Sequence, residues 1–158
     1  MFLSEYASAN MQALTSKLKG LKNMKKSNVL KTILIISGLM ASVIGAAILF
    51  TPVAFYATYG IAVAGNFSLL NEIRAPGGAL LVSGLLIISG AFVDKLTFTA
   101  VVVSTLLYLS YGLSRVMSIA IDGMPVDGLV HAAVLEIVTG LACVFALAIY
   151  RGKQKESA

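Results

Sequence analysis

The sequence predicts an all-α integral membrane four-helix bundle with both termini in the cytoplasm. Its residues are 58% hydrophobic and only 12% charged, and the mean hydropathy is +0.91. Soluble domains average roughly 45–50% apolar and about 25% charged residues. A chain of 158 residues has room for about four spans of ~20 residues once termini and loops are subtracted. Basic residues are concentrated at the two ends of the chain, which sets the orientation by the positive-inside rule.

Residues 1–28 form a basic segment ahead of the first apolar run. Apolar residues recur there at spacings of four and three, which favours an amphipathic helix lying on an anionic membrane surface. They are Leu3, Ala7, Met11, Leu14, Leu18 and Leu21. The alternative is a disordered cytoplasmic segment, favoured by Gly20 and by the serine and asparagine content. Translation could also start at Met24, because a short basic lead directly before an apolar span is the commoner arrangement.

The first span is predicted over about residues 29–50, which is long enough to cross a bilayer. Gly38, Ser42 and Gly45 share one face, so a neighbouring helix can approach closely there. The run is too long for the usual core of a signal peptide, and no clear small-x-small cleavage site follows it. We therefore expect this segment to stay in the protein as a membrane helix.

Residues 51–73 predict an apolar connection rather than a span. Pro52 ends the first helix, and Phe55, Tyr56 and Tyr59 suit the membrane–water interface because aromatic rings with one polar end settle at the headgroup level. We expect this segment to lie along the outer surface and to cover the bundle.

The second span is predicted over about residues 76–92, with Pro76 in its first turn, where a missing N–H is harmless. Gly77 and Gly84 form another small face for packing. Glu72 and Arg74 stand immediately before this helix. A charge near hydrocarbon costs a few kcal/mol unless it is paired or reaches water, so these two residues are functional-site candidates.

The third span, about residues 96–117, follows a predicted turn at Asp94 and Lys95 and has one polar face. That face consists of Ser104, Tyr108, Tyr111, Arg115 and Ser118. Hydroxyls and a guanidinium facing lipid would lack partners, so the face must meet protein or water. It is either a hydrogen-bonded seam between helices or the lining of a cavity.

The fourth span, about residues 129–150, follows a loop that contains Asp122. His131 lies near its outer end, and Glu136 lies deeper on the same side as the small residue Gly140. An ionised carboxylate at that depth needs a cation. Arg115 is the best-placed candidate.

The positive-inside rule places both termini, including the basic tail at residues 151–158, in the cytoplasm. The charged and polar candidates then fall in one layer near the outer surface. We predict that this layer is a ligand-binding site or a charge cluster. Its members are Glu72, Arg74, Arg115, Glu136, His131, Asp122, Tyr108 and Tyr111.

The motifs of this chain resemble those of a bacterial membrane family, domain of unknown function 4345. They are Asn71-Glu72-Ile73-Arg74-Ala75-Pro76-Gly77-Gly78, Ser114-Arg115, Asp122-Gly123-Met124-Pro125 and Glu136. The resemblance covers about residues 29–150. It implies a compact four-helix membrane protein and carries over no activity. Glu72, Arg74, Arg115 and Glu136 match charged positions of the family, whereas Pro76 departs from the usual aromatic or small residue.

Function is predicted as a non-enzymatic binding or accessory protein of the bacterial inner membrane, in which the charged cluster is a structural latch or a small-ligand site. The alternative is a small proton-coupled or anion/lipid transporter, acting as an oligomer. We expect no enzyme, because no catalytic constellation, metal-ligand spacing or phosphate-binding glycine loop is present. Cys143 is interpreted as a small core residue.

The predicted partners follow from the same composition. Membrane lipids surround the spans, and a homo-oligomer is expected through the helix-packing faces of Gly38, Ser42, Gly45, Gly77, Gly84 and Gly140. A small anion or lipid headgroup is a candidate ligand because two guanidiniums suit bidentate binding. No nucleic acid partner and no cofactor are expected, since no basic face carries interleaved aromatic residues.

Overall fold

The computed structural model describes the backbone of residues 2–157 and the side chains of residues 11–12, 14–16 and 28–152. This part of the chain consists of helices joined by turns and contains no strand. The helices are α1 (Phe2–Phe50), α2 (Pro52–Ala57), α3 (Phe67–Gly90), α4 (Asp94–Asp122) and α5 (Asp127–Ser157).

Four helical segments are long and apolar enough to cross a membrane: Asn28–Phe50, Phe67–Gly90, Asp94–Asp122 and Asp127–Gly152. The prediction of an all-α fold with four helices able to span a membrane is confirmed, and the location of the termini stays a prediction. Successive spans are antiparallel, so the first span starts and the last span ends at the same end of the bundle. We call this the terminal end. The opposite end, which carries α2 and the loop between α4 and α5, is the cavity end.

The first helix is longer than the first span. α1 extends back without a break to Phe2, so the basic segment is helical along its described backbone. Met11 and Leu14, on the predicted amphipathic face, are 68% and 59% exposed. Met1 and the other side chains of that face lie outside the described residues.

The second span begins earlier than predicted. α3 starts at Phe67, after Asn66 caps it by accepting a hydrogen bond from the Leu69 N–H at 2.9 Å. Pro76 therefore lies inside the helix and not in its first turn. The helix tolerates this because proline removes one backbone donor, the one that would bond the carbonyl of Glu72. The predicted turn at Asp94 is likewise the first turn of α4.

Small residues bring α1 and α3 into close contact. A Cβ atom built on Gly84 would lie 2.7 Å from the Gly38 carbonyl oxygen, and one built on Gly45 would lie 2.8 Å from the Gly77 carbonyl oxygen. These glycines and Ser42 are thus covered by a helix of the same chain. The predicted close approach of a neighbouring helix to these faces is therefore made within one chain, and a homo-oligomer stays a prediction.

The helices α4 and α5 form a second close pair. Cβ atoms built on Gly112 and Gly140 would meet the Ile137 and Leu109 side chains at 2.8 and 2.9 Å. The bundle therefore consists of two tight helix pairs, α1 with α3 and α4 with α5.

The packed core fills the terminal end and the middle of the bundle. At the terminal end Leu34, Ile87, Val101 and Ala146 are almost completely buried. In the middle a smaller cluster combines Ala41, Leu80, Tyr108 and Cys143, so the cysteine is a core residue as predicted. Beyond this level, towards the cavity end, the space between the two helix pairs is open.

Candidate functional site

A cavity of about 360 Å³ occupies the space between the helix pairs at the cavity end. The first span contributes an apolar wall of Met40, Ile44 and Ile48, to which α3 adds Leu80. The helices α4 and α5 contribute the polar wall, and α2 and the residues after it cover the top. All four spans therefore take part in the site.

The cover of the cavity is aromatic. α2 starts directly after the first span, with Pro52 in its first turn. The ring of Phe55 packs edge-on against Tyr56 and Tyr59, with centroids 5.5 Å apart in both pairs. Tyr59 reaches across to α5, where a Cβ on Gly128 would lie 2.8 Å from its ring. The missing side chain at Gly128 thus lets Tyr59 seal this side of the cavity.

An ion pair joins the two helices of the polar wall. The Arg115 Nε donates to the Glu136 Oε2 at 2.7 Å, as the sequence predicted. The side chains are 33% and 16% exposed, so the pair is partly shielded from solvent. Among the described residues, the other guanidinium N–H groups and the second carboxylate oxygen have no protein hydrogen-bond partner. They remain free to bind a ligand.

Two tyrosines extend the polar wall from Arg115 towards the middle of the bundle. Tyr108 is 4% exposed and donates from its hydroxyl to the Ser37 carbonyl oxygen across the bundle. Tyr111 also lines the cavity, and its hydroxyl has no partner among the described side chains and backbone groups. The two predicted alternatives for the polar face of α4 therefore both occur. The face forms a hydrogen-bonded seam at its deep end and lines the cavity nearer the cover.

Tyr56 lines the same space from the cover. Burial raises the pKa of Tyr56 above its usual value, although the nearby Arg115 guanidinium partly offsets the effect. The phenol therefore stays protonated at neutral pH and can donate a hydrogen bond. His131 lines the cavity from α5 and is exposed.

Three predicted site residues are not part of the cavity lining. Glu72 and Arg74 are exposed on α3. Glu72 precedes the buried Gly77 by five positions, which turns it about 140° away from the packed face at ~100° per residue. Asp122 accepts a hydrogen bond from Ser118 at 3.0 Å on the exposed end of α4. The expected layer thus reduces to five residues that line one cavity: Arg115, Glu136, His131, Tyr108 and Tyr111.

The apolar wall was not predicted as part of the site. Met40, Ile44 and Ile48 recur every four residues on α1, a spacing that marks one helix face without telling a cavity wall from a packed core. The aromatic cover was easier to predict than the apolar wall, because its tyrosines were expected to lie at the outer surface. Within the described residues there is no group of three or more potential metal-binding side chains.

Comparison with protein families finds a match to the family described as Domain of unknown function (DUF4345) over residues 29–147. The match includes most or all of each of the four spans and every residue of the polar wall. Comparisons with curated proteins and with solved structures find no match.

Proposed function

The chain belongs to the Domain of unknown function (DUF4345) family, and from its own geometry we propose that it is a non-enzymatic membrane protein that binds a small amphiphile. The binding site is the cavity between the two helix pairs. The observation that carries the proposal is an open space of about 360 Å³ in a bundle whose other half is closely packed. Ligand sites in proteins occupy about 300–1,000 Å³ and combine apolar walls with a few polar groups.

The composition of the walls supports an amphiphile as the ligand. Most of the lining is aliphatic or aromatic, and its charged groups are Arg115 and Glu136, with His131 at the edge. A ligand with one polar end could bond the free N–H groups of Arg115 while its apolar part contacts Ile44 and Leu80. Binding of an anion by two guanidiniums, as expected from the sequence, is not possible in this cavity, because Arg74 lies outside it.

The orientation we propose places the cavity in the outer half of a bacterial inner membrane, with both termini cytoplasmic. Exposed basic residues at the terminal end support it: Lys31 on α1, Lys95 on α4 and Arg151 on α5. At the cavity end, the last residue of α4 and the first residue of α5 are the exposed acids Asp122 and Asp127 instead. Membrane lipids then surround the spans, and the ligand enters from the outer side.

Transport is the second function that the sequence suggested, and the packing argues for binding instead. The terminal half is filled by fully buried residues such as Leu34, Ile87 and Val101. A continuous path across the membrane would require these helices to separate. A cavity closed below the level of Tyr108 is better suited to holding a ligand than to passing it through.

The proposal can be tested by filling the cavity from one wall. Ala132 lines the cavity on α5, whereas Val134 is exposed on the same helix. The thermal stability of wild type, Ala132→Phe and Val134→Phe would be measured in lipid nanodiscs with decanoate, decanol or decylubiquinone. We expect at least one compound to raise the Tm of wild type and Val134→Phe but not of Ala132→Phe. If none of the compounds shifts the wild-type Tm, the proposed function is wrong.

A further inference from the structure

The charge balance of the cavity bears on the ligand's head group. The Arg115 guanidinium is already neutralised by Glu136 at 2.7 Å. An anionic ligand would add a negative charge beside a carboxylate in a partly desolvated site, where like charges repel more strongly than in water. The same argument disfavours a cation beside Arg115. A neutral head group with hydrogen-bonding atoms fits this pair better.

The hydrogen-bonding groups that remain free are mainly donors. Arg115 offers its remaining N–H groups, and the Tyr56 and Tyr111 hydroxyls point at no partner within the described part of the chain. Carbonyl oxygens are the neutral groups that such donors bind.

The walls around these donors are rich in aromatic rings. Phe55, Tyr56 and Tyr59 cover the cavity, and Tyr108 and Tyr111 line its side. Aromatic side chains prefer offset-stacked or edge-on contact with other rings. A planar ring therefore fills this space with more favourable contacts than a flexible saturated chain.

One side of α5 changes from buried to exposed along the length of the helix. Leu135, Ala142 and Ile149 follow one another at intervals of seven on one side of α5. Ile149 is 9% exposed at the terminal end, whereas Leu135 lines the cavity and is 57% exposed. This side of α5 is thus covered at the terminal end and exposed beside the cavity. An apolar tail could leave the cavity past Leu135 into the lipid.

We propose that the ligand is a membrane quinone, whose dione ring lies in the cavity and whose apolar tail passes Leu135 on α5 into the outer leaflet. This inference rests on the proposed function and specifies its ligand. The ring carbonyls accept hydrogen bonds from Arg115 and the tyrosines, and the ring packs among the aromatic side chains. Binding alone is proposed, with no change in the redox state of the quinone.

The tyrosines provide a direct test. The chain has six tyrosines and no tryptophan, and Tyr56, Tyr59, Tyr108 and Tyr111 line the cavity. Tyrosine emission therefore reports largely on the site itself. We would titrate decylubiquinone into the protein reconstituted in lipid vesicles and compare the emission with that of Ala132→Phe at the same quinone concentration, which corrects for absorption by the quinone.

The expected result is saturable quenching in wild type and in Val134→Phe, and its loss in Ala132→Phe. Tyr111→Phe should weaken binding by roughly two- to tenfold, the effect of one hydrogen bond. If decanoate raises the Tm while decylubiquinone neither raises it nor quenches the emission, the quinone is wrong as the ligand. The proposed binding function would then still stand. Equal quenching in wild type and Ala132→Phe would place the quinone in the surrounding lipid and overturn the inference as well.

Discussion

At the scale of single residues, we expect substitutions in the ion pair of Arg115 and Glu136 to reduce the stability of the protein. Its side chains are 33% and 16% exposed, which places it between two well-studied cases. Exposed pairs contribute about 0–1 kcal/mol, whereas breaking a fully buried pair costs about 3–5 kcal/mol because one charge is left without a partner. The cost of breaking this partly exposed pair should lie between these two values.

We predict that Arg115→Met and Glu136→Met each lower the free energy of unfolding by about 1–3 kcal/mol, because each leaves a half-buried charge unpaired. The double substitution should cost less than the sum of the two, since it leaves neither charge. Unfolding in mixed micelles titrated with a denaturing detergent would measure this. Asp122→Asn is the control; its exposed carboxylate bonds only Ser118, and its effect should stay within about 0.5 kcal/mol. Strictly additive losses would show that the two side chains do not interact.

The pairing could be predicted from residue types alone, whereas the fate of the other charges could not. Glu136 lies in an apolar helix with Arg115 at a similar depth on the preceding one, so few other pairings were available. Whether Glu72 and Arg74 face the cavity or the surface depended on where α3 begins. Because α3 starts at Phe67, both lie in a continuing helix whose phase is set by the packing of Gly77 and Gly84, and they are exposed.

At the scale of helices, the spacing of α1 and α3 depends on glycine at their contact. A Cβ on Gly84 would lie 2.6 Å from the Ser42 backbone nitrogen and 2.7 Å from the Gly38 carbonyl oxygen. Backbone atoms cannot move aside as a flexible side chain can. Gly78 lies on the same helix, where a Cβ would meet only Leu49 Cδ1 at 3.9 Å.

We predict that Gly84→Ala lowers stability by about 1–3 kcal/mol, because the two helices must separate to admit the methyl group. Gly78→Ala should be neutral or stabilising by up to about 1 kcal/mol, since alanine favours helix and meets an ordinary contact. Detergent-induced unfolding of both variants would measure the difference. Equal effects of the two substitutions would mean that the close contact of α1 and α3 does not limit stability.

The start of α3 shows why helix ends are harder to predict than helix faces. Pro76 is a strong local signal for a first turn, and Asn66 is a weaker one for a cap. The structure follows Asn66, because the apolar residues between them continue one helix and a single proline removes only one hydrogen bond. The packing faces of Gly38, Ser42 and Gly45 did not depend on this boundary, so their role in close contact could be predicted.

At the scale of the whole molecule, the cavity results from how two helix pairs are arranged. Glycine contacts hold α1 to α3 and α4 to α5, while the core that joins the pairs fills only the terminal end and the middle. α2 then covers the open end. No residue pattern predicts such a space, because its wall residues Met40 and Ile44 would look the same in a packed core.

The orientation of the molecule gives the last prediction. Native Cys143 is buried, so wild type should not react with a membrane-impermeant maleimide. Met124 is 74% exposed in the loop at the cavity end, and Lys95 is exposed at the terminal end. With the cavity facing outward, Met124→Cys should be labelled in intact spheroplasts and Lys95→Cys only after the membrane is permeabilised. The reverse pattern would place the cavity on the cytoplasmic side, and a ligand would then have to reach it from the inner leaflet.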